Sequence, residues 1–290
     1  MSVMIEYLVL LSCLGFLLFL VPGRHRKYAA IIGWIFIVLS LFANLDEYFR
    51  ENNLLYPLMA ALSVPFLFIT ARYLLREDER AYSLSRAAAV AFIIYAPFGY
   101  IPEVGDWLIS AVVSQVVWIL DLLHFSVHLT CMDPLTEQPV ITGVCGDLMR
   151  SVISRNNYNV EIILGCTGIQ SIAIMLGVAA AVPTNTRQKI LAFLIVAPTI
   201  YFLNLLRNAF VIIAYSEQWF PYLPEVAGNG EPGYKSFFWA HNVIMELTAL
   251  IILFFIAYGL FTIIPELGNY ADELYQMYAG EVRKAFGKGK

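Results

Sequence analysis

The stretch Ile190–Tyr215 reads ILAFLIVAPTIYFLNLLRNAFVIIAY, and Arg207 is its sole charged residue. At 1.5 Å per residue this run makes a helix of about 39 Å, more than the ~30 Å hydrocarbon core of a bilayer. Hydrophobic residues make up 60% of the 290-residue chain and charged residues 14%, against about 45–50% and 25% in soluble domains. Mean hydropathy is +0.70. Disordered and collagen-like classes are excluded, and a net charge of −4 argues against a soluble nucleic-acid binder. Four cysteines are too few for a disulfide scaffold. The expected fold is all-α, a polytopic bundle of transmembrane helices.

Outward from Ile190–Tyr215, six more segments have the length and apolarity of spans: Val3–Val21, Ala29–Leu45, Leu54–Leu75, Leu84–Ile101, Thr167–Pro183 and Trp239–Ile264. The first follows no charged n-region and precedes no small-residue cleavage site, so it reads as a retained span. An eighth apolar stretch, Trp107–Leu129, carries Gln115, Asp121, His124 and His128. Thirteen of the 18 basic residues lie after the first span, around the third-to-fourth join, in Arg187 and Lys189, and in the tail. They share one side if the N-terminus is outside and the C-terminus cytoplasmic. Trp107–Leu129 then has both flanks outside and reads as an interfacial or re-entrant helix. Residues 1–264 form one transmembrane catalytic domain in this reading. Leu267, Tyr270, Ala271, Leu274, Tyr278 and Val282 recur at helical spacing, so 265–290 is a cytoplasmic amphipathic helix with a basic tail.

Polar groups inside spans carry the chemistry, because lipid penalises them. A central arginine costs about 2.5–3.5 kcal/mol on insertion scales. Arg207 shares a helix face with Asn204 and Asn208, at i, i+3 and i+4. Two readings compete for it: a packing clamp on a carbonyl or Glu246, and a cation aimed at developing negative charge. Cys166 precedes Thr167, and Thr167 with Gln170 matches a capping box that starts a helix at Thr167. A thiol at a helix start is in a setting that favours thiolate, whereas Cys13 reads as a small core hydrophobe. His241 opens the last span. Thiol, imidazole and guanidinium at one depth can serve as nucleophile, base and oxyanion stabiliser.

Asp121, His124 and His128 occupy one face if Trp107–Leu129 is helical, with Cys131 beyond, but no HExxH closes a zinc ligand set. Cys131 and Cys145 share an exterior loop where a disulfide is permitted. No phosphate-cradling glycine loop and no GxSxG elbow is present. Neither a metal nor a cofactor is expected. A transporter or channel with Arg207 and Glu246 in its path is the alternative of another class, and a zinc hydrolase a second.

The run Cys166-Thr167-Gly168-Ile169-Gln170-Ser171-Ile172-Ala173, then Asn204-x-x-Arg207-Asn208, His241 and Pro265-Glu266-Leu267, resembles the exosortase/archaeosortase family. The likeness covers roughly Gly165–Tyr278, and upstream it rests on the number of apolar segments. It implies a membrane cysteine transpeptidase of archaeal cell surfaces. Its partners are membrane-anchored surface proteins whose C-terminal signal comprises a short motif, a transmembrane helix and a basic tail. In the archaeosortase branch the motif is Pro-Gly-Phe, and cleavage is coupled to attachment of a membrane phospholipid. The resemblance maps the catalytic set onto Cys166, Arg207 and His241, with Asn204, Asn208 and Gln170 as supporting residues and the site toward the outer face.

Overall fold

The computed structural model describes residues 3–50, 55–132, 139–140, 150–228, 230 and 232–287. Each of the eight apolar stretches is helical in whole or in large part. In chain order the elements begin with α1 (Val3–Leu20), α2 (Arg26–Ala43), α3 (Leu45–Arg50), α4 (Leu55–Leu75), α5 (Glu79–Tyr100) and α6 (Pro102–Leu122). Strands β1 (His128–Met132), β2 (Pro139–Val140), β3 (Arg150–Arg155) and β4 (Tyr158–Glu161) follow. A 3-10 turn (Leu164–Thr167) leads into α7 (Ile169–Ala179), α8 (Thr186–Ser216), α9 (Pro224–Ala227) and α10 (Tyr234–Phe237). A π-helix (Phe238–Met245) then joins α10 to α11 (Glu246–Ile263), and α12 (Pro265–Phe286) ends the fold.

Among the described residues six helices are long and apolar enough to cross a membrane, and the protein is a mostly helical, multi-pass membrane bundle. Helix is the form these segments take because a backbone N–H or C=O left unpaired in lipid costs several kcal/mol. Three assignments differ from the sequence reading. α1, expected to be a span, is not among those six helices. α6, expected to lie at the interface, has the 21-residue length and the composition of a span. α7 holds 11 residues, about 16 Å of helix, well short of the span expected over Thr167–Pro183.

The described chain divides into two compact units. The first comprises residues 1–94, 173–196 and 255–290. Its core gathers Phe16, Phe19, Trp34, Leu74 and Tyr82. α1 and α2 touch at Gly15 and Gly33, where a Cβ on Gly15 would lie 2.7 Å from the Gly33 nitrogen, and Ser12 Oγ donates to Gly33 O at 2.8 Å. Small residues let helix backbones approach this closely in lipid. The basic joins of this unit meet one another: Lys27 bonds Glu77 at 2.8 Å, Arg86 donates to Ala181 O at 3.3 Å, and Arg72 bonds Glu281 at 2.7 Å. α12 is the amphipathic helix expected after the last span. Tyr270 Oη donates to Arg80 O at 3.0 Å, and Tyr278 stacks on Phe66 with centroids 5.4 Å apart.

The second unit comprises residues 95–172 and 197–254. Its four-stranded antiparallel sheet, ordered β2-β1-β3-β4, was not foreseen from sequence. β3 and β4 close through Asn156 and Asn157, with φ of +51° and +66° and Arg155 opposite Tyr158, as in a two-residue hairpin. The helical face expected for Asp121, His124 and His128 does not exist. α6 ends at Leu122, His124 turns left-handed with φ +56°, and His128 opens β1. Among the described residues no group of three His, Cys, Asp or Glu is placed to hold a metal ion. Cys131 is disulfide-bonded, and Cys145 lies outside the described residues.

Candidate active site

The sheet delivers Cys166. Arg155, at the tip of the β3–β4 hairpin, bonds Glu217 just beyond α8 at 3.1 Å and the Ser126 carbonyl at 2.7 Å. Its guanidinium also lies 3.7 Å from the Phe125 ring centroid. Asn156 Nδ2 donates to Ser216 O at 3.2 Å. With the hairpin strapped to the end of α8, β4 runs directly into the turn that carries Cys166.

That turn is not the expected capping box. Thr167 Oγ1 donates back to Leu164 O at 2.7 Å and accepts from Ile169 N–H at 3.4 Å, so the helix starts at Ile169. Gly168 between them has φ +82°, and a Cβ there would sit 3.3 Å from Asn204. Glycine meets both demands: a left-handed backbone and close approach to α8.

α8 then holds the turn in place. Asn204 Nδ2 and Asn208 Nδ2 both donate to the Cys166 carbonyl, at 2.5 and 2.8 Å. Both asparagines are buried, so the pair satisfies itself against the backbone inside a low-dielectric bundle. Arg207, between them in sequence, bonds His241 Nε2 through Nη2 at 3.3 Å. Arginine is always the donor, so Nε2 is the acceptor and the imidazole is neutral. Its proton sits on Nδ1, which donates to Asn242 Oδ1 at 2.7 Å. Phe237 stacks on the imidazole at 4.9 Å with planes 12° apart. Among the described residues Arg207 Nε is buried without a hydrogen-bond partner, the arrangement of a donor awaiting an acceptor.

Cys166, Asn204, Arg207, Asn208 and His241 therefore converge within the second unit. Gln170 sits exposed one residue into α7 and makes no side-chain bond to them. Among the described residues Cys166 Sγ forms no hydrogen bond to Arg207 or His241, and Glu246 forms no ion pair with Arg207. The thiol lies in the turn, outside the spanning helices. Burial pushes its pKa up, while the Ile163 backbone hydrogen bond and the Arg207 charge pull the other way. A helix start alone does not produce the depressed thiol expected from sequence.

Sequence reasoning passed over Asn242 and gave Phe237 no part in the site. The π-helix that carries His241 and Asn242 shifts the backbone hydrogen bonds by one residue, a feature frequent at functional sites and without a compositional signature. His-Asn adjacency was the one available signal.

Residues 4–228 match the family model described as Transmembrane exosortase (Exosortase_EpsH). Archaeosortase A of Haloferax volcanii is 28% identical over 280 residues, covering 89% of this chain and 88% of that protein. Archaeosortase A of Natronomonas pharaonis is 26% identical over 263 residues, covering 89% and 82%. No solved structure matches. Since the family match takes in most of the chain, from the first apolar helix past the end of α8, this protein belongs to the exosortase/archaeosortase family of membrane cysteine transpeptidases, which process C-terminal sorting signals.

Proposed function

We propose that Cys166, Arg207 and His241 catalyse cleavage of a Pro-Gly-Phe-type sorting signal on the outer side of the membrane and transfer the new C-terminus to a phospholipid. The observation that carries this is the organisation of α8: Asn204 and Asn208 hold the Cys166 carbonyl, while Arg207 from the same turns holds His241 and keeps Nε–H free.

Sγ gives its proton to His241 Nε2 and attacks the scissile carbonyl carbon. Protonation of Nε2 ends its acceptor role, so the Arg207 guanidinium turns its N–H groups to the oxyanion. The imidazolium returns the proton to the leaving amine as the C–N bond breaks, leaving a thioester on Cys166. A lipid head-group hydroxyl or amine attacks that thioester, gives up its proton and releases the thiol. Asn242 positions His241 by holding Nδ1–H, which leaves the Nε2 lone pair on the reacting side.

The orientation has N-terminus outside and C-terminus cytoplasmic, which takes seven crossings: α1, α7 with the segments flanking it, and the long helices other than α6, which lies on the outer side despite its span-like length. Clustering of the basic joins in the first unit supports it, since an excess of Lys and Arg marks the cytoplasmic side. Substrate proteins are membrane-anchored surface proteins bearing the three-part signal.

The test is processing of a signal-bearing reporter by Cys166→Ala and Cys166→Ser enzymes. Both should lose turnover by at least about 10³-fold, as loss of a nucleophile does. Undiminished processing by the alanine enzyme overturns the assignment.

A further inference from the structure

Beside Cys166 the second unit holds a half-open cavity of about 130 Å³. Gly165 and Gly168, on either side of the nucleophile, line it together with Gln170, Asn204 and Arg207. Its remaining wall is mostly apolar: Leu203 from α8, Met245 from the π-helix, and Ala249, Ile252 and Leu253 from α11.

The apolar wall is distinct from the lipid-facing surface. Met245, Thr248, Ala249 and Ile252 recur at i, i+3, i+4 and i+7 and all line the cavity. Leu247, Leu250, Ile251 and Phe254 recur with the same spacing two positions on, and they are 57%, 53%, 58% and 69% exposed. A two-residue offset rotates a helix by about 200°. One stripe is thus the more exposed, lipid-facing one, while the other is half-buried along a pocket with a polar end.

The volume limits the occupant. An apolar cavity of roughly 150 Å³ takes a benzene molecule, so this one has room for a single ring or branched side chain. A phospholipid acyl chain is far longer than the six carbons of a ring. We propose that this cavity is the subsite for one large apolar side chain of the sorting signal, the phenylalanine of Pro-Gly-Phe, with Leu203, Met245, Ala249, Ile252 and Leu253 setting the size it accepts. The proposal rests on the cysteine-transpeptidase reading above and adds the residues that select the substrate. The polar mouth leaves the peptide backbone at Cys166 and Arg207 while the ring enters the apolar end.

The experiment uses purified full-length enzyme in proteoliposomes. Reporters carry Pro-Gly-Phe, Pro-Gly-Leu, Pro-Gly-Ala or Pro-Gly-Trp before the same transmembrane helix and basic tail. Wild-type enzyme should favour Phe over Ala by roughly 10- to 100-fold in kcat/KM, the range for filling an apolar pocket. Ala249→Phe fills the cavity and should bring the Phe-to-Ala ratio to about 1. Leu253→Ala enlarges it and should raise the Trp-to-Phe ratio several-fold. Alkylation of Cys166 by a small maleimide reports that each variant keeps its site, and if Ala249→Phe loses it, Leu253→Ala decides. A Phe-to-Ala ratio and a Trp-to-Phe ratio both unmoved by the variants overturn the subsite, as does a rate loss equal for all reporters that tracks lipid chain length. Those outcomes leave the catalytic assignment standing when Cys166→Ala is inactive. A Cys166→Ala enzyme that still processes the Phe reporter fails the catalytic assignment instead.

Discussion

Gly168 and Arg207 show how much of the site rests on single residues. With φ of +82° and Asn204 only 3.3 Å from a Cβ, closer than ordinary van der Waals contact, Gly168→Ala places an L-residue in a backbone region costing about 1–2 kcal/mol. It should lower the melting temperature in detergent and reduce processing together, because the strained residue lies two positions from Cys166 in the turn that carries it. Melting unchanged from wild type would show that the turn relaxes freely. For the thiol, burial disfavours the thiolate and raises the pKa, whereas the Arg207 charge favours it. In a Cys13→Ala background, alkylation of Cys166 should therefore accelerate with pH through a midpoint above that of free cysteine. Arg207→Gln should move the midpoint higher still, since it removes the lowering charge. A midpoint that Arg207→Gln leaves in place separates the guanidinium from the thiol. Arg207, Cys166 and the two asparagines were legible as a set because lipid makes each one conspicuous. The clamp on the Cys166 carbonyl was not legible, because it depends on which atom an amide meets rather than on spacing.

At the level of elements, the apolar segments were readable throughout, since a bilayer imposes length and composition together. The sheet was missed even though Arg155-Asn156-Asn157-Tyr158 places two turn-forming residues between short runs with β-branched positions, a hairpin signal that the surrounding hydrophobicity overshadowed. The face expected for Asp121, His124 and His128 failed at His124, where one left-handed residue ends helical periodicity. The π-helix was beyond reach, because a shift in backbone bonding changes no residue. The hairpin strap predicts a separable effect. Arg155→Ala removes the Glu217 pair, the Ser126 bond and the contact with Phe125. With Arg155 27% and Glu217 37% exposed, the stability loss should be about 1 kcal/mol, measured by denaturant unfolding. Processing should fall several-fold with the alkylation midpoint unchanged, as expected of an element that positions Cys166 without touching its electrostatics. A shifted midpoint would contradict that division of labour.

For the molecule as a whole, the proposed transfer to a lipid puts both substrates in the bilayer, and the proposed chemistry needs a wet, outward side for the leaving peptide. The proposed orientation rests on the basic joins and is open to direct measurement on intact cells in a Cys13→Ala, Cys166→Ala background. A cysteine at Asn159, on the sheet, should react with a membrane-impermeant maleimide, and one at Glu273, on α12, should react only after permeabilisation. The reverse pattern inverts the topology. The central claim is that Cys166 becomes acylated by the sorting signal, and mass spectrometry of the enzyme quenched during turnover tests it most directly. The expected result is a thioester adduct of the upstream substrate fragment on Cys166, removed by hydroxylamine and absent from Cys166→Ser enzyme at the same sensitivity. Turnover at full rate with Cys166 unmodified, or the adduct on another residue, would contradict it.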